Sequence, residues 1–193
     1  LVDPDGLDTI IRYSGRRAPR RFADDEWYEA LEALEAAQPG EIDTIDFYGH
    51  GNPEVCIAGQ LDLNAPGGYG TGGIRLARNG GVYFWASVPG LPEIVYTKSL
   101  QKVLGGKKVR KVRFHSCNAA GGHPDWQKRL ENEPKATSVH LPPTEENITR
   151  YTSLTLKDTV VQGSLGYYGY HEPNVGNPRY EEPMTYKNGV RQK

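Results

Sequence analysis

Hydrophobic and polar positions alternate most clearly in three short runs of this chain. Thr9-Ile10-Ile11-Arg12-Tyr13 is β-branched and aromatic and predicts a first strand. In Ile42 to Tyr48, Ile45 and Phe47 alternate with Asp46, and the run stops at Gly49-His50-Gly51-Asn52-Pro53. In Val109 to Phe114, Val112 and Phe114 alternate with Arg110, Lys111 and Arg113, and the run ends at His115-Ser116-Cys117. Between the first two, Ala23 to Ala37 carries Trp27, Leu31 and Leu34 at helical spacing. Asp24 and Asp25 open it and Pro39-Gly40 closes it.

Other segments carry weaker signals. Val55 to Leu63 reads as a hairpin or edge strand, and Gly67 to Gly73 as a mobile flap or specificity loop. Val82 to Trp85 predicts a strand, and Tyr96 to Leu104 a helix closed by Gly105-Gly106. A short helix is expected from Pro124 to about Glu133, with strands over Ala136 to Leu141 and Ser153 to Val161. Residues 163–193 are rich in Tyr, Gly, Pro and Asn and read as a wrapped or loose tail. Strands alternating with helices predict an α/β fold, a mostly parallel sheet flanked by helices. Sites in such sheets form at the carboxyl ends of the strands, where His50 and Cys117 both fall.

That placement sets the candidate chemistry. A cysteine thiol is mostly protonated at neutral pH and needs a base to become a nucleophile. A histidine serves as that base and afterwards protonates the leaving amine. Glycine after the histidine lets main chain approach closely, so Gly51 and the backbone N–H of Cys117 are the expected oxyanion donors. Trp85, Asp62 and Glu54 are candidates for substrate binding, with Asp158 a further acidic candidate. The bland alternative is that Cys117 is a small buried hydrophobe and His50 a turn residue. Tyr167, Tyr168, Tyr170 and Tyr180 read as packing over the sheet, or as a groove or partner surface.

Composition narrows the classes. The 193 residues suffice for one domain with a real core. With 23 basic and 24 acidic residues, net charge −1, the chain is not built to neutralise many phosphates, and no nucleic-acid partner is expected. The basic run Arg16-Arg17-Ala18-Pro19-Arg20-Arg21 reads as a solvated loop. Two cysteines, Cys56 and Cys117, are too few for a disulfide-stapled scaffold. No run approaches the roughly 18 apolar residues of a membrane span, and no signal peptide is visible in residues 1–20. His115, Cys117 and His123 lack zinc-site spacing, and the glycine-rich loop lacks Gly-Lys-Ser/Thr, so neither metal nor cofactor is expected.

Two resemblances sharpen the reading. Ile42–Tyr48 with Gly49-His50-Gly51, and Val109–Phe114 with Ser116-Cys117-Asn118, resemble the two motif strands of the caspase–gingipain–separase group (clan CD) of cysteine peptidases. The Ser-Cys-Asn-Ala form is particularly similar to bacterial CHAT-type members, although many members have alanine where this chain has Ser116. The resemblance implies a caspase-like three-layer sandwich, a His50–Cys117 dyad with no obligatory third acid, and cleavage after a particular P1 side chain. Separately, Val2-Asp3-Pro4-Asp5-Gly6-Leu7 is similar to the close of the Rhs-repeat core of bacterial polymorphic toxins. That implies a junction at 1–7 and a single toxin domain over 8–193. It further implies a secreted effector acting in the target-cell cytoplasm and restrained by a cognate immunity protein. Alternatives with other readouts are a Cys-His glutamine deamidase or acyltransferase effector, and a non-catalytic CHAT-like binding module.

Overall fold

The computed structural model describes residues 9–60, 70–87, 94–117, 119–121, 146–164 and 183–193. Asp62, the helix expected from Pro124, the strand expected at Ala136 to Leu141, His123, the junction at 1–7 and the four tail tyrosines lie outside these residues.

The expected strands and first helix form where the local pattern is strongest. Strands β1 (Thr9–Tyr13), β2 (Arg20–Phe22) and β3 (Ile42–Tyr48) belong to one sheet. Helix α1 (Trp27–Ala36) buries Trp27, Ala30, Leu31 and Leu34, the stripe predicted by 3.6-residue periodicity. A 3-10 turn at Asp24–Glu26 precedes it, and the Glu26 carboxylate accepts the Ala23 N–H at 3.0 Å.

The middle of the chain overturns the expected architecture. Strands β4 (His50–Asn52), β5 (Val55–Ile57), β6 (Gly72–Leu76), β7 (Val82–Ser87) and β8 (Ile94–Ser99) form a five-stranded sheet in chain order, every pairing antiparallel. The end of the supposed glycine loop, Gly72 and Gly73, is strand. Helix α2 is only Leu100–Leu104. Ile94 and Thr97 are β-branched and pair with β7, and the Ser99 side chain caps the helix by accepting the Lys102 N–H at 3.2 Å.

The other sheet has seven strands in the order β12-β11-β10-β9-β3-β1-β2, with β9 (Lys111–His115), β10 (Val160–Gly163), β11 (Met184–Lys187) and β12 (Val190–Arg191). Among its described strands, only the β3–β9 and β9–β10 pairings are parallel. The fold is therefore mostly β, two sheets with short helices, and not a mostly parallel caspase-like sandwich flanked by helices. The reason is the length between β3 and β9. It does not hold one crossover helix; it holds an entire antiparallel meander that packs back onto the first sheet. Helix α3 (Ile148–Thr155) replaces the first part of the strand expected at Ser153. Its Ile-, Thr- and Tyr-rich sequence suits a strand by propensity, but Asn147 caps it by accepting the Arg150 N–H at 2.9 Å. Residues 183–193, read as tail, form the hairpin that ends the large sheet.

One core joins both sheets and all three of these helices. Trp27 of α1 stands between the sheets, its ring 6.0 Å from Phe47 of β3 and 6.3 Å from Phe84 of β7. Its indole N–H donates to the Trp85 carbonyl at 2.8 Å, satisfying a polar atom that burial would otherwise strand. Phe47 also stacks on Phe114 of β9 at 5.7 Å, locking the two parallel strands together just before their carboxyl ends.

Candidate active site

The β3–β9 ladder sets the geometry. The pairing is parallel and runs Phe47 to Phe114, then Tyr48 to His115. His50 and Cys117 each lie two residues beyond that last level pair, at the same rim of the sheet. The contact continues past the strands: the Gly49 N–H donates to the His115 carbonyl at 3.3 Å. At Gly51 a Cβ would stand 2.7 Å from both Cβ and Oγ of Ser116 and 2.7 Å from the Val55 carbonyl oxygen. The segment holding the imidazole is thus pressed against the segment holding the sulfur, and only glycine fits at the contact.

Gly49 makes the turn between the sheets. Its φ is +152, and a Cβ there would collide with the Ile57 carbonyl oxygen. The chain leaves β3, bends at this residue and enters β4, where His50 is level with Ile57 and Gly51 with Cys56.

His50 is half-buried, and burial holds its pKa below the ordinary 6.5. A neutral imidazole at pH 7 is a proton acceptor, the state a general base requires. Cys117 is a half-buried thiol, whereas Cys56 is fully buried in the core. The Ser116 side chain is buried, and its Oγ has no hydrogen-bond partner among the described residues.

Of the remaining candidates, Glu54 and Asp158 lie away from the His50–Cys117 rim. Trp85 is 8% exposed, with its ring over Gly73 of β6. Glu54 lies in the tight turn of the β4–β5 hairpin, at the end opposite His50, where its N–H donates to Asn52 Oδ1 at 2.7 Å. Asp158 precedes β10, at the amino end of the parallel strands and so at the rim opposite Cys117. Among the described residues no three His, Cys, Asp or Glu side chains converge as a metal cluster. No described helix is long and apolar enough to cross a membrane.

A polar cluster on the face of the large sheet away from Phe47 and Phe114 was not foreseen. Asp46 is completely buried, yet its carboxylate takes Arg12 Nε at 3.1 Å, Arg113 Nη2 at 2.9 Å and His115 Nε2 at 2.8 Å. Burial alone would raise its pKa; the hydrogen bonds from His115, Arg113 and Arg12 overcome this and bring it down to about 2. The His115 ring lies flat on Tyr48, 4.1 Å between centroids and 5° between planes. The signal was present: an aspartate inside an apolar strand needs a cation, and Arg113 occupies the alternating polar face of the other motif strand.

No protein-family model, curated protein or solved structure matches this chain. The functional reading therefore stands on the two strand ends and on the loop that follows Cys117. That loop is held from below. Thr149 Oγ1 of α3 donates to the Ala119 carbonyl at 2.7 Å, and the Ser164 hydroxyl donates to the Ser116 carbonyl. The Ala120 N–H donates in return to the Ser164 carbonyl at 2.9 Å.

Proposed function

We propose that this chain is a cysteine hydrolase acting on peptide bonds, with Cys117 as nucleophile and His50 as general base. One observation carries the reading: the level ends of two adjacent parallel strands, joined by the contact of Gly51 with Ser116, put the two residues at one rim. The half-buried, neutral-leaning imidazole supports the base role.

In the proposed reaction His50 takes the Cys117 proton and the sulfur attacks the scissile carbonyl carbon. The oxygen becomes negative and is held by backbone N–H groups, that of Cys117 first. The tetrahedral intermediate collapses, the C–N bond breaks and His50 gives its proton to the leaving amine. Water, deprotonated by His50, then hydrolyses the thioester and restores the thiol.

The likeness to clan CD peptidases supports this at the two motif segments only, since the surrounding sheets are arranged differently. The setting as a toxin effector with an immunity partner rests on Val2 to Leu7 and is part of the proposal. The test is expression of the wild-type chain, Cys117→Ala and His50→Ala in cells, with mapping of new protein termini. The expected result is a set of termini present only with the wild type. Deamidated glutamines without new termini would instead favour the deamidase alternative. Identical effects of all three chains would leave only a binding module.

A further inference from the structure

We infer that Ser164 is a positioning residue that aims the backbone N–H of Cys117 at the reaction oxyanion, an inference that rests on Cys117 being the nucleophile. The Ser116 carbonyl and the Cys117 N–H belong to one planar, trans peptide unit and point in opposite directions. Whatever holds the carbonyl oxygen therefore fixes the direction of the N–H. The Ser164 hydroxyl donates to that oxygen. A hydrogen bond received at the carbonyl also polarises the same amide and makes its N–H a better donor.

Ser164 is well placed to do this because it directly follows β10, which lies parallel to β9 with Gly163 level with Phe114. Its main chain takes part as well, since its carbonyl accepts the Ala120 N–H at 2.9 Å. One residue thus grips the chain on both sides of Cys117. Gly163 makes room for this, because a Cβ there would meet Ala119 Cβ and Ala120 N at 3.2 Å each, and would collide with Thr149 Oγ1. Thr149, fully buried, anchors the Ala119 carbonyl from α3. The loop is held at the Ser116 carbonyl, the Ala119 carbonyl and the Ala120 N–H. Of these, only the bond to Ser116 bears directly on the peptide that carries the oxyanion donor.

Two thiol reactions separate positioning from mere structural support. Acylation of Cys117 by 4-nitrophenyl acetate passes through a tetrahedral oxyanion. Alkylation by iodoacetamide is a displacement at carbon with no oxyanion. Both are measured on the whole chain, with the labelled residue located by peptide mass mapping because Cys56 is also present. Ser164→Ala is expected to slow acylation about ten- to a hundredfold, since removing a whole oxyanion donor costs about a hundred- to a thousandfold. Alkylation and its pH profile are expected to stay within about twofold. Ser164→Thr, which keeps the hydroxyl, is expected to restore most of the acylation rate. Equal slowing of both reactions would mean that the loop has collapsed and would overturn the inference, as would unchanged acylation. If wild type and Cys117→Ala are acylated alike, the nucleophile assignment itself fails, a result distinct from either.

Discussion

Replacing Asp46 by asparagine tests whether the buried cluster beneath the candidate site is electrostatic in origin. The carboxyl is held at about 2 in place of its ordinary 3.8. At about 1.4 kcal/mol per decade of proton activity, that gap is worth about 2 kcal/mol of folding stability. Partial exposure of Arg12 (47%) and Arg113 (31%) makes this an upper figure. Because the folded-state value lies below the unfolded one, the contribution is complete above about pH 4 to 5 and is lost as pH falls toward 2. Asp46→Asn also leaves Arg113 and His115 against a neutral amide. The expected cost at pH 7 is therefore about 2–4 kcal/mol. Urea unfolding of wild type and variant at a series of pH values from 7 to below 3 gives the difference directly, with acid effects at other carboxylates cancelling. The gap between the two proteins is expected to narrow by up to about 2 kcal/mol over the acid range. A gap that stays constant with pH would refute the reasoning and reassign the role of Asp46 to shape alone.

Three further outcomes are expected. Ser116→Ala removes a buried hydroxyl with no partner among the described residues, so stability in urea is expected to hold or rise by up to about 1 kcal/mol; a larger loss would show that Oγ is bonded. Gly49→Ala places a Cβ into the Ile57 carbonyl at a backbone angle L residues avoid, and is expected to cost at least about 3 kcal/mol, read as loss of soluble, cooperatively melting protein. Burial keeps His50 deprotonated to lower pH, so the acid limb of Cys117 alkylation is expected below 6.5 and is expected to move up toward the ordinary thiol range, about 8.5, in His50→Ala; a wild-type acid limb above 6.5 would contradict the burial argument. The same direction means that His50 makes folding less favourable as pH falls through 6.5, because the unfolded chain binds that proton more readily.

What could be read from the chain by itself was local. Alternation in Ile42–Tyr48 and Val109–Phe114 marks one apolar and one polar face, and Trp27, Leu31 and Leu34 mark a helical stripe, because period and burial are coupled within a few residues. The same locality placed His50 and Cys117 just past strand ends, which suggested a shared rim before any pairing was known. The boundary between β8 and α2 was missed because Tyr96, Leu100, Val103 and Leu104 recur at helical spacing, so the end of the strand reads as the start of the helix. Helix α3 was missed because Ile148, Thr149, Tyr151, Thr152 and Thr155 favour strands by propensity, and the Asn147 cap and the Ala119 carbonyl that accepts Thr149 Oγ1 override it.

Pairing across distance was decided only in three dimensions. That β3 lies beside β9, that a whole antiparallel sheet intervenes between them, that Asp46 meets Arg113, and that Ser164 reaches back to Ser116 all depend on contacts between residues far apart in the chain. Such contacts form because one continuous core must cover Trp27, Phe47 and Phe84 at once, and no short window of residues contains that requirement.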